Sequence, residues 1–448
     1  MDVVLSKIQM VSAMKIDELP AFYSKLESKY RVTNADLKNA TYTSVASNFV
    51  YSAKFARHRW FNYKEGFSPV LVERIFDECK LVDGAVVCDP FCGAGTTLTV
   101  AKEKNMDSIG FEVNPFAAFI SRIKSDNYET SDIDELSKML QSLMQIDALQ
   151  EQPLPENEYL QRIFDPEMQL TQLNIRAWFH KQNESKAKNL LFFAWLCTLE
   201  ECSLYRKAGN GLKKKTTAMK YGAGESLKFA LQAISDRCKK IIEDFDEQRN
   251  GPIPKIYEDS ATMMDKHVNA ESLDLVLFSP PYANCFDYTK IYYLELWFGE
   301  FVCSRDDQSS IRMKSIRSHC HATWPERYKH FSLDALNNKL LPLLEQQPLW
   351  TNKIPGMLNG YFADMEEVLK KIYDALKTGA QCMIVVSNSA YAGIVIPTDI
   401  LLAQIAERIG FKVNEIAVER LIITSSQQYK KTEHVKKYLR ESIVKIQK

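Results

Sequence analysis

The sequence lacks several features that would assign a protein to a class at once. Its 57 Lys and Arg balance 57 Asp and Glu, which excludes a uniformly basic coat for nucleic acid but leaves local basic patches open. None of the 10 cysteines forms a Cys-x-x-Cys pair or lies near histidines at zinc spacing, which predicts free thiols in a reducing compartment. The longest apolar run, Leu190 to Leu199, is too short to span a bilayer, and charges interrupt the apolar positions of the N-terminus. We therefore expect a soluble, cytoplasmic protein with no membrane partner and no metal.

The patterns that are present predict an α/β protein. A short apolar run from Gly84 to Pro90 contains an acid near its end, and a glycine-rich turn, a helix from about Thr96 and a strand at Ser108 to Phe111 follow. Strand, helix and strand in this order form a βαβ unit, which implies a parallel sheet. Further strand patterns follow at 255–259, 273–278, 381–386 and, as an edge strand, 439–446.

The strand signals are interrupted along the chain. Residues 125–250 show helical periodicity and few strand patterns. We therefore predict one α/β domain made of residues 51–124 and 251–448, with a helical insertion at 125–250. Residues 1–50 form an N-terminal extension, and 299–360 form a second, irregular insert. The helical insertion is the first candidate for target recognition, and the irregular insert is the alternative.

The segment DPFCGAGTT predicts a ligand loop at the carboxyl end of a strand, where doubly wound sheets bind their ligands. Gly93 and Gly95 allow the backbone to approach a ligand closely. Glu112 follows Gly93 by the spacing typical of a carboxylate that accepts both ribose hydroxyls. Leu98 replaces the third glycine of the dinucleotide pattern, which favours a smaller nucleoside ligand. A strand–helix turn without a ligand is the alternative.

A second candidate site follows the apolar run 273–278. Two consecutive prolines are disfavoured inside a central strand, so Ser279, Pro280, Pro281 and Tyr282 must lie just beyond its end, on the same rim as Asp89. The Ser279 hydroxyl and the Pro280 carbonyl can accept hydrogen bonds from an exocyclic amine, and Tyr282 offers a flat face to a base. The alternative is a proline strand terminator beside a core tyrosine.

Together, DPFCGAGTT, FEVNP at 111–115 and SPPY at 279–282 resemble the amino-group DNA methyltransferases, which use S-adenosylmethionine to methylate cytosine N4 or adenine N6. The SPPY form resembles the cytosine-N4 branch of the bacterial modification methylases. WFNYKEGFSPVL at 60–71 resembles the cofactor segment of this family, and DYTKIYYLELW at 287–297 resembles the segment after its catalytic motif.

This resemblance implies a Rossmann-like methyltransferase sheet with helices on both faces. It implies that the glycine loop contacts the methionine part of the cofactor, that Glu112 holds the ribose and that Asp259 faces the adenine amine. Asp89 or its neighbourhood would anchor the amino group, while Ser68 and Pro69 would close the methionine side. The implied cofactor residues are Ser68, Pro69, Asp89, Pro90, Phe91, Cys92, Gly93, Gly95, Thr96, Glu112, Asn114 and Asp259. The implied catalytic residues are Ser279, Pro280, Pro281 and Tyr282.

Two basic patches are candidates for contact with DNA phosphates. The stretch 204–224 contains six basic residues and no acid, and it includes Lys213, Lys214 and Lys215 in a predicted loop. The other patch, 305–330, contains Arg312 and Arg317. An ordinary solvated surface is the alternative for both.

We therefore predict a site-specific DNA methyltransferase, cytosine-N4-specific, in a restriction-modification or related defence system. Its partners would be double-stranded DNA, with the target base flipped out of the helix, and a cognate restriction or defence protein. An adenine-N6 DNA methyltransferase, an enzyme acting on RNA or on a protein side-chain amide, and a catalytically silent DNA-binding protein with the same fold stay open as alternatives.

Overall fold

A computed structural model describes most of the chain. The described residues are 14–34, 49–64, 66–147, 149–153, 157–209, 211–217, 221–222, 224–245, 250–321, 331–423 and 426–448. Much of the predicted extension at 1–50 and the end of the 305–330 patch lie outside these residues.

The described strands form one large sheet and two small hairpins. Their bounds are β1 Val32–Asn34, β2 Val86–Asp89, β3 Asp107–Phe111, β4 Tyr205–Ala208, β5 Gly211–Lys214, β6 Lys255–Tyr257, β7 Leu273–Phe278, β8 Leu376–Ser387, β9 Ser389–Tyr391, β10 Ile394–Ile396, β11 Lys412–Leu421 and β12 Arg440–Gln447.

The α-helices are α1 Leu19–Glu27, α2 Pro69–Glu78, α3 Thr96–Glu103, α4 Pro115–Ser125, α5 Thr130–Leu143, α6 Pro166–His180, α7 Lys186–Leu196, α8 Leu199–Cys202, α9 Glu225–Glu243, α10 Tyr288–Ile291, α11 Tyr293–Phe298, α12 Arg305–Lys314, α13 Leu341–Glu345, α14 Ile354–Ala375, α15 Thr398–Ile409 and α16 Ser426–Tyr429. Short 3-10 turns lie at 16–18, 49–54, 58–60, 160–162, 261–266 and 430–438, and one π turn lies at 335–340. Among the described helices, none combines the length and the apolar character that crossing a membrane requires.

The large sheet has the order β1-β11-β12-β8-β7-β2-β3-β6. Strands β8, β7, β2, β3 and β6 pair in parallel, whereas β12 runs antiparallel to both of its neighbours. After β2 the chain continues to β3, which lies on one side of β2 in the sheet, and after β7 it continues to β8, which lies on the opposite side of β7. The order of the strands therefore reverses between β2 and β7, and a crevice opens there at their carboxyl ends.

Helices cover both faces of this sheet, as predicted. Alternate residues of β7 and β8 belong to two different cores: Val276 and Ile384 pack with α14 and α15, whereas Leu277 and Val385 pack with α2 and α3. This burial on both sides explains the continuous apolar runs of the parallel strands. The predicted α/β class with a methyltransferase-like sheet is confirmed.

The last strand pattern in the sequence does not form an edge strand, contrary to the prediction. β12 lies between β8 and β11, and Ile443 and Val444 face opposite cores. The position of this pattern after all the others suggested an edge, but β12 is inserted between two strands that precede it in sequence.

Residues 125–250 contain α5 to α9 and the antiparallel hairpin β4–β5. The apolar run from Leu190 belongs to α7, which ends at Leu196, and the basic segment expected to be a loop contributes the hairpin. The core of this region also includes Phe116 of α4 and Trp297 of α11. The insertion therefore packs directly onto the sheet domain, while its exact boundaries stay a prediction.

Candidate functional site

The carboxyl ends of β2 and β7 open into one cleft of about 1180 Å³, measured to its open mouth. Its wall includes the loop 89–94 and Glu112, and also Asp259, Ser279 and Pro281. The two sites that the sequence predicted separately therefore share one cavity.

The glycine loop adopts a backbone that other residues rarely tolerate. Gly93 and Gly95 have φ angles of +50° and +76°. A Cβ atom on Gly95 would lie 2.2 Å from Oγ of Ser121, and one on Gly93 would lie 2.9 Å from Cε1 of Tyr63. Both positions thus require glycine for backbone conformation and for space.

A third glycine, which the sequence analysis missed, replaces the absent glycine of the dinucleotide pattern. Leu98 of α3 packs over Gly110 of β3, and a Cβ atom on Gly110 would lie 2.6 Å from Leu98 Cδ1 and 2.8 Å from Cys92 Sγ. In the dinucleotide pattern a glycine on the helix allows the helix to pack closely on the strand. Here Gly110 on the strand allows the same close packing, and Leu98 lies on the helix.

Asp89 holds the shape of the loop. Its Oδ1 accepts a hydrogen bond from the Phe91 N–H at 3.0 Å, and its Oδ2 accepts one from the Thr97 hydroxyl at 2.7 Å. Burial raises the pKa of Asp89 to about 7, although these hydrogen bonds oppose the rise. Thr97, the last residue of the DPFCGAGTT segment, was not among the implied cofactor residues but helps to hold the loop from α3.

Glu112 connects the end of β3 to the glycine loop. Its Oε2 accepts a hydrogen bond from the Gly93 N–H at 3.0 Å, and its Oε1 accepts one from the Asn114 N–H at 2.8 Å. Burial raises the pKa of Glu112 to about 7 as well. The Asn114 Oδ1 caps α4 by accepting from the Phe116 N–H, while its buried Nδ2 has no hydrogen-bond partner in the described part of the chain.

The other predicted cofactor residues divide into two groups. Asp259 lies in the cleft wall, and its Oδ2 is 3.2 Å from Nε2 of His267. Burial acts to raise the pKa of Asp259, but hydrogen bonds from His267 and from the Ser260 N–H outweigh it and lower the pKa. Ser68 and Pro69 instead begin α2, and the neighbouring Gly66 and Phe67 form this part of the wall.

A chain of hydrogen bonds leads from Ser279 to a buried carboxylate. The Ser279 hydroxyl donates to the Tyr282 hydroxyl at 3.2 Å, which donates to Oε1 of Glu441 at 2.9 Å. The Arg420 Nε donates to the other oxygen of Glu441 at 2.7 Å. Because the Ser279 proton is directed at Tyr282 in this chain, the Ser279 oxygen presents its lone pairs as acceptors.

Glu441 and Arg420 lie on β12 and β11, and the sequence analysis did not identify them. The Tyr282 side chain packs against the core of the sheet, and of the four described residues of the SPPY motif, Ser279 and Pro281 line the cleft. Base stacking by Tyr282 therefore stays a prediction.

Asp287, Thr289 and His319 also line the cleft, and they belong to a polar cluster. The Asp287 Oδ1 accepts a hydrogen bond from the Thr289 hydroxyl, and its Oδ2 accepts one from the Arg312 Nε at 3.0 Å. Asp287, His319 and His321 each place one potential ligand atom within 4.8 Å of the others. Arg312 already supplies this carboxylate with a cation, and the absence of a metal stays a prediction.

The insertion reaches the glycine loop through a stack of side chains. Tyr63, which covers Gly93, stacks on Tyr292 with ring centroids 5.0 Å apart and planes 13° apart. The Lys207 ammonium of β4 lies 4.8 Å from the centroid of the Tyr292 ring and pairs with the buried Glu295 of α11. The hairpin β4–β5 is thereby connected to the glycine loop.

The predicted DNA-contact residues differ in how they are engaged. Lys213 and Lys214 are exposed on β5. The Lys215 ammonium donates to the backbone carbonyls of Glu200, Glu201 and Ser203 at the end of α8. Arg312 binds Asp287, as described above, and Arg317 binds both carboxylate oxygens of Asp364 at 2.9 and 2.8 Å. The two exposed lysines are thus the best placed of the five for phosphate contact.

Comparison with known proteins agrees with this geometry. A family model described as DNA methylase, of the N6_N4_Mtase type, matches residues 14–122. Residues 14–122 are thus similar to the DNA methylase family of the amino-group type, which supports the predicted class of DNA methyltransferase.

Similar proteins cover nearly the whole chain. The Type II methyltransferase M.AvaI of Nostoc sp. is 29% identical over 96% of this chain and 93% of its own length. The Type II methyltransferase M.BsoBI of Geobacillus stearothermophilus is 28% identical over 94% and 90%, respectively. The solved rRNA methyltransferase aviRa of Streptomyces viridochromogenes covers 85% of both chains with a TM-score of 0.27 and 11% identity, a likeness too weak to carry an argument.

Proposed function

We propose that this protein transfers a methyl group from S-adenosylmethionine to N4 of cytosine in double-stranded DNA in the cytoplasm. The observation that carries the proposal is the single cleft that joins the glycine loop, Glu112 and Asp259 to Ser279. The relatives named Type II methyltransferases support a modification role, with a cognate restriction or defence protein as partner.

The cofactor half of the cleft fits a nucleoside that carries a charged arm. Gly93 and Gly95 allow the conformation of the loop, since a Cβ atom on either would collide with a neighbouring side chain, and both Glu112 oxygens keep lone pairs for ribose hydroxyls. The buried Nδ2 of Asn114 is a donor that a ligand oxygen would satisfy. When bound, S-adenosylmethionine supplies an electrophilic methyl group on a sulfonium.

The acceptor half fits an exocyclic amine. The Ser279 oxygen, with its own proton directed to Tyr282, accepts a hydrogen bond from one N–H of the amine. The carbonyl of Pro280, which has no N–H and a restricted backbone, is proposed to accept the other. Two acceptors in fixed positions direct the nitrogen lone pair toward the methyl donor, so the catalysis rests on orientation in a displacement without a covalent intermediate.

The target amine is normally hidden inside the duplex. The base must therefore be flipped out to reach Ser279, which lies in the wall of the cleft. Lys213 and Lys214 are proposed to hold the adjoining phosphates. The SPPY form supports cytosine N4 as the target, and adenine N6 is the competing amine because the family name covers both.

The test is the modified base itself. DNA from a host without its own methylases, expressing the protein, is digested to nucleosides and analysed by mass spectrometry. We expect N4-methylcytosine with the wild-type protein, its loss in Ser279→Ala, and its retention in Ser24→Ala, a matched change on the exposed side of α1. N6-methyladenine alone would reassign the target, and no methylated nucleoside would refute the proposal.

A further inference from the structure

One part of the cleft wall contains buried polar groups that the reaction described above does not use. His58 and Lys124 line the cleft together with Ser52, and only 3% of His58 and 2% of Lys124 are exposed. Neither ring nitrogen of His58 has a hydrogen-bond partner among the residues that the structure describes. A buried polar group without a partner costs stability, so an unsatisfied imidazole in the wall of a cavity points to a ligand-binding position.

These groups lie next to the glycine loop. Ser121 of α4 touches Gly95, and Lys124 follows about one helical turn later on the same face of α4. Thr96, at the first turn of α3, lines the same cleft. The N-terminus of α3 adds backbone N–H groups and the positive end of a helix dipole to this region.

The chemistry of this region fits an anion. Lys124 carries an ammonium, and burial lowers its pKa to about 8, which an anionic ligand would reverse. Glu103 and the thiol of Cys197 lie near enough to oppose this effect in part. Burial, with Lys124 and Arg57 nearby, lowers the pKa of His58, so its imidazole is neutral and offers one N–H.

We propose that Lys124 and His58 bind the carboxylate of the methionine arm of the cofactor, an inference that rests on the proposed function. None of the motifs quoted above assigns a role to either side chain. Lys124 also lies beyond the matched family region, which ends at residue 122, whereas His58 lies within it. In this arrangement the carboxylate of the arm faces Lys124 and His58, and its amino group faces the loop around Asp89.

The test compares two ligands on several proteins by isothermal titration calorimetry. The ligands are S-adenosylhomocysteine and its decarboxylated analogue, which lacks only the carboxylate. The main variant is Lys124→Met, which keeps the approximate length of the side chain and removes its charge. Lys239→Met, on the exposed face of α9, is the matched control, and His58→Phe is the second variant.

We expect the wild type and Lys239→Met to bind S-adenosylhomocysteine about 10–100-fold more tightly than the analogue, as for a charge-assisted hydrogen bond. Lys124→Met should lose most of this preference, and its retained affinity for the analogue shows that the variant is folded. His58→Phe should reduce the preference in part, and it carries the test by itself if Lys124→Met does not fold.

An unchanged preference in Lys124→Met, or in His58→Phe where that variant stands alone, would overturn the inference and leave the proposed function intact. If neither ligand binds to the wild type, the proposed function itself fails. The two failures are therefore distinguishable in one set of titrations.

Discussion

The hydrogen-bond chain behind Ser279 gives the sharpest prediction about catalysis. Tyr282→Phe keeps the aromatic ring and removes the hydroxyl that accepts from Ser279 at 3.2 Å and donates to Glu441 at 2.9 Å. Glu441 keeps its bond to Arg420, so the buried carboxylate stays paired. The change therefore tests the orientation of Ser279 without leaving an isolated buried charge.

The magnitude follows from the bond that is lost. A hydrogen bond to a charged group contributes about 1.5–3 kcal/mol, and if the chain orients Ser279 in the transition state, methyl transfer slows about 10–150-fold. The affinity for S-adenosylhomocysteine should stay unchanged, because Tyr282 is not among the described residues that line the cleft.

The assay is single-turnover methyl transfer to a duplex oligonucleotide, with the affinity for S-adenosylhomocysteine measured in parallel. Tyr30→Phe is the matched control, since its hydroxyl donates to Glu407 at 2.8 Å near the surface of the molecule. A wild-type rate in Tyr282→Phe, together with a slow Tyr282→Ala, would refute the orientation argument and favour base stacking by the ring.

Three further predictions concern the loop, the cofactor and the DNA. Gly110→Ala places a Cβ atom 2.6 Å from Leu98 Cδ1 and should lower the free energy of unfolding by about 1–3 kcal/mol in denaturant titrations; unchanged stability would contradict the packing argument. Because the pKa of Glu112 is raised to about 7, its carboxylate ionises as pH rises through 7, so S-adenosylhomocysteine should bind more tightly at pH 8 than at pH 6, and Glu112→Gln should diminish this rise. Replacing both Lys213 and Lys214 by alanine should reduce the slope of log affinity for DNA against log salt by about 1.8, and an unchanged slope would remove the hairpin from the interface.

The raised pKa of Glu112 also affects stability, with a definite sign. Between the ordinary pKa of a glutamate and about 7, the folded protein retains a proton that the unfolded chain has released. The stabilising contribution of this group is therefore complete below the ordinary pKa of a glutamate and is lost as pH rises through 7. Above pH 7, therefore, cofactor binding should be strongest, whereas the contribution of Glu112 to the stability of the unliganded protein should be weakest.

The positions of the candidate site residues could be predicted where they depend on the backbone preferences of neighbouring residues. The Asp89 strand end, Gly93, Gly95 and the residues after β7 were identified because turns with positive φ require glycine and because prolines are excluded from central strands. The DNA methylase class also followed from the motifs and is confirmed by the family match. The base and the individual site roles stay predictions.

The elements that the sequence patterns assigned wrongly depend on contacts between distant parts of the chain. The strand at β12 and the hairpin β4–β5 were assigned wrongly because the position of a strand in a sheet depends on partners far away in sequence. Lys215 and Arg317 looked like free cations in the sequence, but backbone carbonyls and Asp364 engage them in the structure.

The sequence by itself determined where the strands that open into the cleft end, because backbone conformation at glycine and proline is a property of single residues. Only the tertiary structure decided which distant groups meet there: Tyr282 with Glu441, Leu98 with Gly110, and His58 with Lys124 in one wall. Such contacts arise from the order of strands and the packing of helices, which many weak interactions spread over the whole chain select together.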